Sequence, residues 1–154
     1  MTCSKKLNVY LANLAVWNVK LHNLHWNVTG HHFKPLHEYT ESLYDDVFEA
    51  FDSVAEILKM KEQTPLSTLK DYLEVATIEE VAPRDFSGHE VMDMVESDMK
   101  LMNALALEIR NDAAQSDDFE VQSMFEGFVA DYSKKLWFIR AMRNRSACGC
   151  RKEQ

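Results

Sequence analysis

The sequence predicts an all-α protein: a bundle of four long helices, with a short extra helix in the long linker between helices 2 and 3. Four glycines and three prolines punctuate 154 residues, too few for the many tight turns of an all-β fold. Apolar residues instead recur at helical spacing over four long stretches. A chain of this length is expected to form a single domain with a real core. That domain covers residues 1–154, with short tails at about 1–5 and 146–154.

The first helix is expected from roughly Lys5 to Val28. Leu7, Leu14, Leu21 and Val28 form one row, and Tyr10, Trp17 and Leu24 a second beside it. No strand pattern competes with this two-row seam, and Thr29-Gly30 supplies the stop. The second helix starts near Pro35, whose missing N–H is not needed in a first turn. It carries Leu36, Leu43, Val47, Phe51, Val54 and Leu58, and ends before Thr64-Pro65.

Between Ser67 and Val81 the pattern is ambiguous. Leu69, Tyr72 and Leu73 suit a short amphipathic helix lying across a groove or a subunit contact. Ser87, with Glu90 three residues later, reads as a capping box. It opens a third helix to about Ala114, with Val91, Val95, Met102, Leu105 and Ile109 facing inward. After a break at Gln115-Ser116-Asp117, the fourth helix runs from about Asp118 to Arg143. Phe125, Phe128, Tyr132, Leu136 and Ile139 lie on its inner face, and Ser146 to Gln154 read as a polar tail. The single long linker, ~22 residues within the precision of such boundaries, permits a crossover that sets two helical hairpins side by side.

Several function classes are disfavoured by bulk properties. No apolar run approaches the ~20 residues needed to cross a bilayer. The N-terminal stretch has neither an uninterrupted apolar segment nor a small-residue cleavage site, so a cytoplasmic location without a membrane partner is expected. A net charge of −8 opposes a surface that simply attracts nucleic acid and suits one that draws in cations. The cysteines, Cys3, Cys148 and Cys150, all lie near the chain ends. An odd number in tails describes no disulfide-stapled core.

The chemistry concentrates in the first two helices. Five of six histidines, His22, His25, His31, His32 and His37, fall within sixteen residues. Such a cluster serves as metal ligands or as solvated residues beside a turn. On the second helix, His37 and Glu41 are one turn apart, as are Asp52 and Glu56, so each pair shares a face. The two pairs are only ~60° apart around the helix, yet ~22 Å apart along it. They cannot hold one metal within one chain. Two copies of the helix packed antiparallel about a two-fold axis would bring the His37 end of one against the Asp52 end of the other. Imidazole and carboxylate together suit iron or zinc. His25 is the natural additional histidine, folded back beside His37 by the turn at Gly30. Phe48, Phe51, Val54 and Ala55 around Asp52 and Glu56 suggest burial, and buried carboxylates need a partner or a metal. There is no Glu-x-x-His motif, so a di-iron site inside one bundle is not expected.

These residues resemble the Dps family of ferritin-like proteins, the DNA-binding proteins from starved cells. The resemblance is carried by His25-Trp26-x-Val28-x-Gly30-x-x-Phe33-x-x-Leu36-His37-Glu38, by Leu43-Tyr44 and by Asp52-x-x-Ala55-Glu56. It continues through Thr68-Leu69-x-x-Tyr72-Leu73 to Leu136-Trp137-x-x-Arg140-Ala141, nearly the whole chain outside the tails. It implies a ferritin-like bundle in a homo-oligomeric shell of twelve subunits. It further implies oxidation of Fe2+ by H2O2 or O2, storage of ferric mineral, and protection from oxidative damage. The ferroxidase ligands it implies are His25 and His37 from one subunit, with Asp52 and Glu56 from its two-fold mate. Glu41 stands where the family often has Asp, and it bears on whether one or two irons bind. Trp26 matches a family tryptophan near the iron and also suits a core aromatic. Ile57 replaces the arginine that commonly follows Ala-Glu and often forms a salt bridge across the dimer contact.

DNA binding, with nucleoid association, would need a basic tail. Lys5 and Lys6 at one end, and Arg143, Arg145, Arg151 and Lys152 at the other, form only moderate clusters. Twelve copies would multiply weak contacts. Asp117, Asp118 and Glu120 would suit either an iron-entry pore or the stabilisation of a helix N-terminus. The competing readings are a DNA-compacting shell whose metal site is vestigial or holds zinc, and a monomeric helical adaptor.

Overall fold

Helix α1 (Cys3–Asn27) is the element around which the others pack, and its apolar rows explain why. Leu7, Tyr10, Leu11, Leu14, Trp17, Leu21 and Leu24 are all essentially without solvent contact, more than one face could bury against one neighbour. A computed structural model describes residues 3–143. The predicted polar tail from Ser146 onward, with Cys148 and Cys150, lies outside the described residues.

After α1 come α2 (Phe33–Met60), the short α3 (Leu69–Val75), α4 (Gly88–Gln115) and α5 (Phe119–Arg143). The helix expected at Pro35 begins two residues earlier, which still leaves the proline in the first turn. Helices α1 and α2 form one hairpin, and α4 and α5 the other. Between α1 and α4, Lys6 pairs with Asp112 at 2.8 Å and Lys20 with Asp98 at 2.7 Å. Later contacts on α1 thus meet earlier ones on α4, so the two helices are antiparallel. The hydroxyls of Tyr10 and Tyr132, 2.7 Å apart, join α1 to α5 inside the core.

The linker after α2 runs the length of α1, held by polar residues of that helix. Asn8 Oδ1 accepts from Leu66 N at 2.9 Å. Asn13 Oδ1 accepts from Thr77 N at 2.6 Å and Ile78 N at 3.1 Å, and Asn23 Nδ2 donates to Val81 O at 2.8 Å. Asn13 is fully buried, so these bonds also satisfy an otherwise costly amide. The linker ends as a two-residue strand, β2 (Phe86–Ser87), parallel to β1 (Val28–Thr29). The chain therefore returns to the end where α2 began before α4 starts, the crossover that the linker length permits.

At that end, Gly30 turns with a φ of 98°, the left-handed region where glycine carries no steric penalty. Gly88 lies where an added Cβ would come within 2.8 Å of Leu36 Cδ1, so α4 starts close against α2. The Ser87–Glu90 capping box is present as the sequence predicts.

The short amphipathic helix forms at α3, capped by Thr68, whose side chain accepts from Asp71 N. Of the three apolar residues that predict it only Tyr72 is buried; Leu69 and Leu73 remain exposed. Among the described residues, no helix is long and apolar enough to cross a membrane.

Candidate metal centre

The end of α1 and the first turns of α2 bring His25 and His37 face to face. Their rings stack with centroids 3.6 Å apart and planes 19° from parallel. His25 Nδ1 donates to His37 O at 2.8 Å, and His37 Nδ1 donates to His25 O at 2.9 Å. A carbonyl oxygen only accepts, so each Nδ1 carries the proton. In the neutral rings each Nε2 is then a bare lone pair, the form in which imidazole binds metals. Buried Thr40 supports the pair: its hydroxyl lies 3.3 Å from His25 Nδ1 and donates to Leu36 O at 2.8 Å. Phe33 covers the outer face of His37, with centroids 5.1 Å apart.

A second stack adjoins the first. Tyr44 stacks on His22 with centroids 3.8 Å apart and stands nearly perpendicular to His25, with centroids 5.3 Å apart and planes at 88°. Asn18 clamps this arrangement from α1. Its backbone oxygen accepts from His22 Nδ1 at 2.8 Å, and its side-chain amide donates to Tyr44 O at 2.9 Å. Burial, then the neighbouring charges of Glu41 and Asp45, push the Tyr44 hydroxyl up. In the sequence His22 stands out only as one of a histidine cluster, and Tyr44 only as part of a motif. Their common signal is spacing: His22 is three residues before His25, and Tyr44 is seven after His37.

Glu41 is exposed on α2, while Asp52 and Glu56 lie further along the same helix. The expectation that apolar neighbours bury Asp52 and Glu56 fails for the single chain. Both are exposed, and Phe48 between the two ends is itself 65% exposed. Trp26 is not a core aromatic either: it is 67% exposed, beside His22 at 5.4 Å. His31 and His32 are exposed in the turn. Among the described residues of one chain, no three His, Cys, Asp or Glu side chains come together in a group that could hold a metal. What one chain offers is a preorganised imidazole pair at one end of α2. At the other end it offers an uncovered carboxylate pair, with exposed Trp26, Phe33, Phe48 and Met60 on the same two helices.

Other expected features fall elsewhere. Ile57 is 2% exposed and packs into the chain's own core. Asp118 is tied to Lys61 at 2.6 Å and caps α5 through Val121 N, while Asp117 and Glu120 are exposed. Of the basic residues weighed for DNA, Lys6 pairs with Glu108 and Asp112, and Arg143 pairs with Asp93 and Glu96. Lys5 is exposed, and Arg145, Arg151 and Lys152 lie outside the described residues.

Residues 4–147 match the family described as the ferritin-like domain. The chain is 34% identical over 142 residues to DNA protection during starvation protein 2 of Bacillus anthracis, covering 90% of this chain and 94% of that one. Two solved structures superpose closely. Dps from Listeria monocytogenes gives a TM-score of 0.89 at 31% identity, covering 92% of this chain and 93% of that one. Helicobacter cinaedi CAIP gives 0.90 at 29% identity, covering 92% and 99%.

Proposed function

This chain belongs to the ferritin-like family, among the Dps proteins, and on that premise we propose that it is a ferroxidase and iron-storing mini-ferritin. Its substrate is Fe2+, held between His25 and His37 of one subunit and Asp52 and Glu56 of the two-fold mate, with Glu41 as a further oxygen ligand. The observation that carries this reading is the reciprocal His25–His37 bonding. It fixes both Nδ1 protons and leaves both Nε2 atoms free for a metal without any rearrangement. Such outer bonds set the tautomer and orientation of ligating histidines.

The carboxylates supply hard oxygen donors that favour the ferric product. They also neutralise charge that would otherwise be isolated as the interface closes. Two ferrous ions together supply the two electrons that reduce one H2O2 to two waters, taking up two protons. No hydroxyl radical need leave the centre, which is the basis of protection from oxidative damage. The ferric product enters a mineral inside a closed shell, for which we propose twelve subunits in the cytoplasm. O2 is the alternative oxidant.

A second reading has one observation in its favour: two imidazoles with carboxylates suit Zn2+ as well as iron. A zinc-holding shell that compacts DNA would use the same centre without turning over.

Subunit mixing tests the proposal. His25→Ala/His37→Ala chains and Asp52→Ala/Glu56→Ala chains are each expected to oxidise Fe2+ with H2O2 at the buffer rate. Co-assembled in equal amounts, they should regain about a quarter of wild-type activity. Half of randomly formed isologous pairs are mixed, and each mixed pair rebuilds one of its two centres. No recovery on mixing sinks the intersubunit centre. Full activity in either parent sinks the ligand assignment, and a wild-type protein that only retains Zn2+ supports the second reading.

A further inference from the structure

We propose that Thr40 is a positioning residue of the iron centre, whose buried hydroxyl fixes the direction in which His25 Nε2 meets the metal. The inference rests on the metal centre proposed above and concerns a side chain that does not itself touch the metal. An imidazole turns about a broad, roughly two-fold torsion, so a single hydrogen bond at Nδ1 leaves the opposite nitrogen room to swing. At a centre closed by a second subunit, that direction must match carboxylates that the chain does not itself position.

Thr40 touches both halves of the histidine pair. In a helix, a threonine hydroxyl reaches the carbonyls three and four residues earlier. Here those are His37 O at 3.0 Å and Leu36 O at 2.8 Å. The same hydroxyl oxygen lies 3.3 Å from His25 Nδ1. That nitrogen carries its proton and donates to His37 O at 2.8 Å, so Thr40 Oγ1 is its second acceptor. The hydroxyl's own proton goes to the helix carbonyls. The His25 N–H is thus shared between two acceptors, a three-centre bond, and both acceptors are anchored in α2. Thr40 is fully buried and His25 nearly so, which keeps solvent from competing for these atoms. Outer partners of this kind are worth about 10–100-fold in metal affinity. The lower end applies here, because the nearer acceptor, His37 O, survives loss of the hydroxyl.

The test is anaerobic calorimetric titration of the assembled full-length protein with Fe2+, repeated with Co2+, whose absorption bands report ligand geometry. Thr40→Val keeps the branched shape and removes the hydroxyl. Thr40→Ser keeps the hydroxyl and removes the methyl, which leaves a small gap in the packing. Affinity should fall about tenfold in Thr40→Val, with shifted Co2+ bands. Thr40→Ser should keep the wild-type affinity and the wild-type bands, whatever its thermal midpoint. A merely structural role would instead make affinity follow the thermal midpoint of each variant.

Wild-type affinity in Thr40→Val, or a loss in Thr40→Ser equal to that in Thr40→Val, would each overturn the role given to Thr40. The parent proposal is judged separately. If His25→Ala/His37→Ala binds Fe2+ as tightly as wild type, the centre itself is misassigned. If that variant loses the ion while Thr40→Val holds it with wild-type affinity, only the role of Thr40 falls.

Discussion

His25 and His37 hold each other in place, each ring donating through Nδ1 to the other's backbone oxygen at 2.8 and 2.9 Å across a 3.6 Å stack. The arrangement is symmetric although the two residues come from different helices, and it makes the tautomer of both rings a consequence of the fold. Nitrogen-15 NMR of the metal-free protein should therefore show both neutral rings protonated at Nδ1. Zn2+, a diamagnetic stand-in, should move the Nε2 resonances of both. An Nε2–H tautomer at either ring would contradict the hydrogen bonding. His37→Ala should also cost about 1 kcal/mol of stability from the lost bond to His25 O alone, read by chemical denaturation.

Much of this fold is written in local patterns. The Leu7-to-Val28 and Tyr10-to-Leu24 rows mark α1 because helical spacing puts them on adjoining stripes, and Ser87 with Glu90 marks the start of α4 through chemistry confined to one turn. The two-residue strands Val28–Thr29 and Phe86–Ser87 were not legible, since two residues carry no periodicity and their pairing spans the whole crossover. At the candidate site, spacing along α2 separates the His37 and Asp52 ends. It says nothing about which surface covers them. Phe48 and Phe51 looked like a burying environment for Asp52, yet in one chain Phe48 is largely exposed. Apolar neighbours in sequence do not distinguish a core from a face that another copy would cover. The Tyr44–His22 stack escaped for a similar reason: it joins two helices through ring faces, and no single-helix pattern encodes it.

The Lys20–Asp98 pair ties α1 to α4 with little solvent contact on either side chain. Burial pushes the Asp98 carboxyl up, against the pull of Lys20. Lys20→Met removes that pull and strands the carboxylate, which is expected to cost about 3–5 kcal/mol. The sign of the pH dependence follows. An acid whose folded value lies above its unfolded one holds its proton more tightly when folded, so stability is lost as pH rises through that window. Lys20→Met should therefore recover part of its deficit as pH falls through the carboxylate range. Lys20→Met/Asp98→Leu should be close to wild type in denaturant unfolding, because a well-packed apolar pair replaces two desolvated charges.

At the start of α4, Glu90 bonds to Arg84 and closes the capping box on Ser87, and these contacts hold its carboxyl down at about 2, from 4.5. A depressed acid contributes stability that is fully present above its unfolded value and is lost as pH falls through the folded one. The gap in thermal midpoint between wild type and Glu90→Gln should thus be constant near neutrality. It should shrink as pH drops from about 4.5 towards about 2. A gap that does not change across this range would show that the ionised carboxylate contributes nothing to the cap. Ser87→Ala, which removes the hydroxyl half of the box, is expected to cost about 1 kcal/mol.

Ile57 follows Glu56, one of the proposed ligands, at the position where the resembling family commonly carries arginine. In this chain it is 2% exposed and packed into the bundle's own core. Restoring the family's residue should therefore harm the protein. Ile57→Arg places a guanidinium among Val54, Leu58 and their neighbours, with no acceptor supplied, so a loss of about 3 kcal/mol or more is expected. Ile57→Val, which only trims a methylene, should cost about 0.5–1.5 kcal/mol. Denaturant unfolding of the two variants beside wild type distinguishes a core position from an interface position. If Ile57→Arg were neutral, or raised the midpoint while tightening subunit association in sedimentation, residue 57 would face a partner chain. A steep loss for arginine and a shallow one for valine would instead mean that this protein has moved residue 57 from its contact surface into its core. The two-fold contact would then rely on the apolar face around Trp26, Phe33 and Phe48.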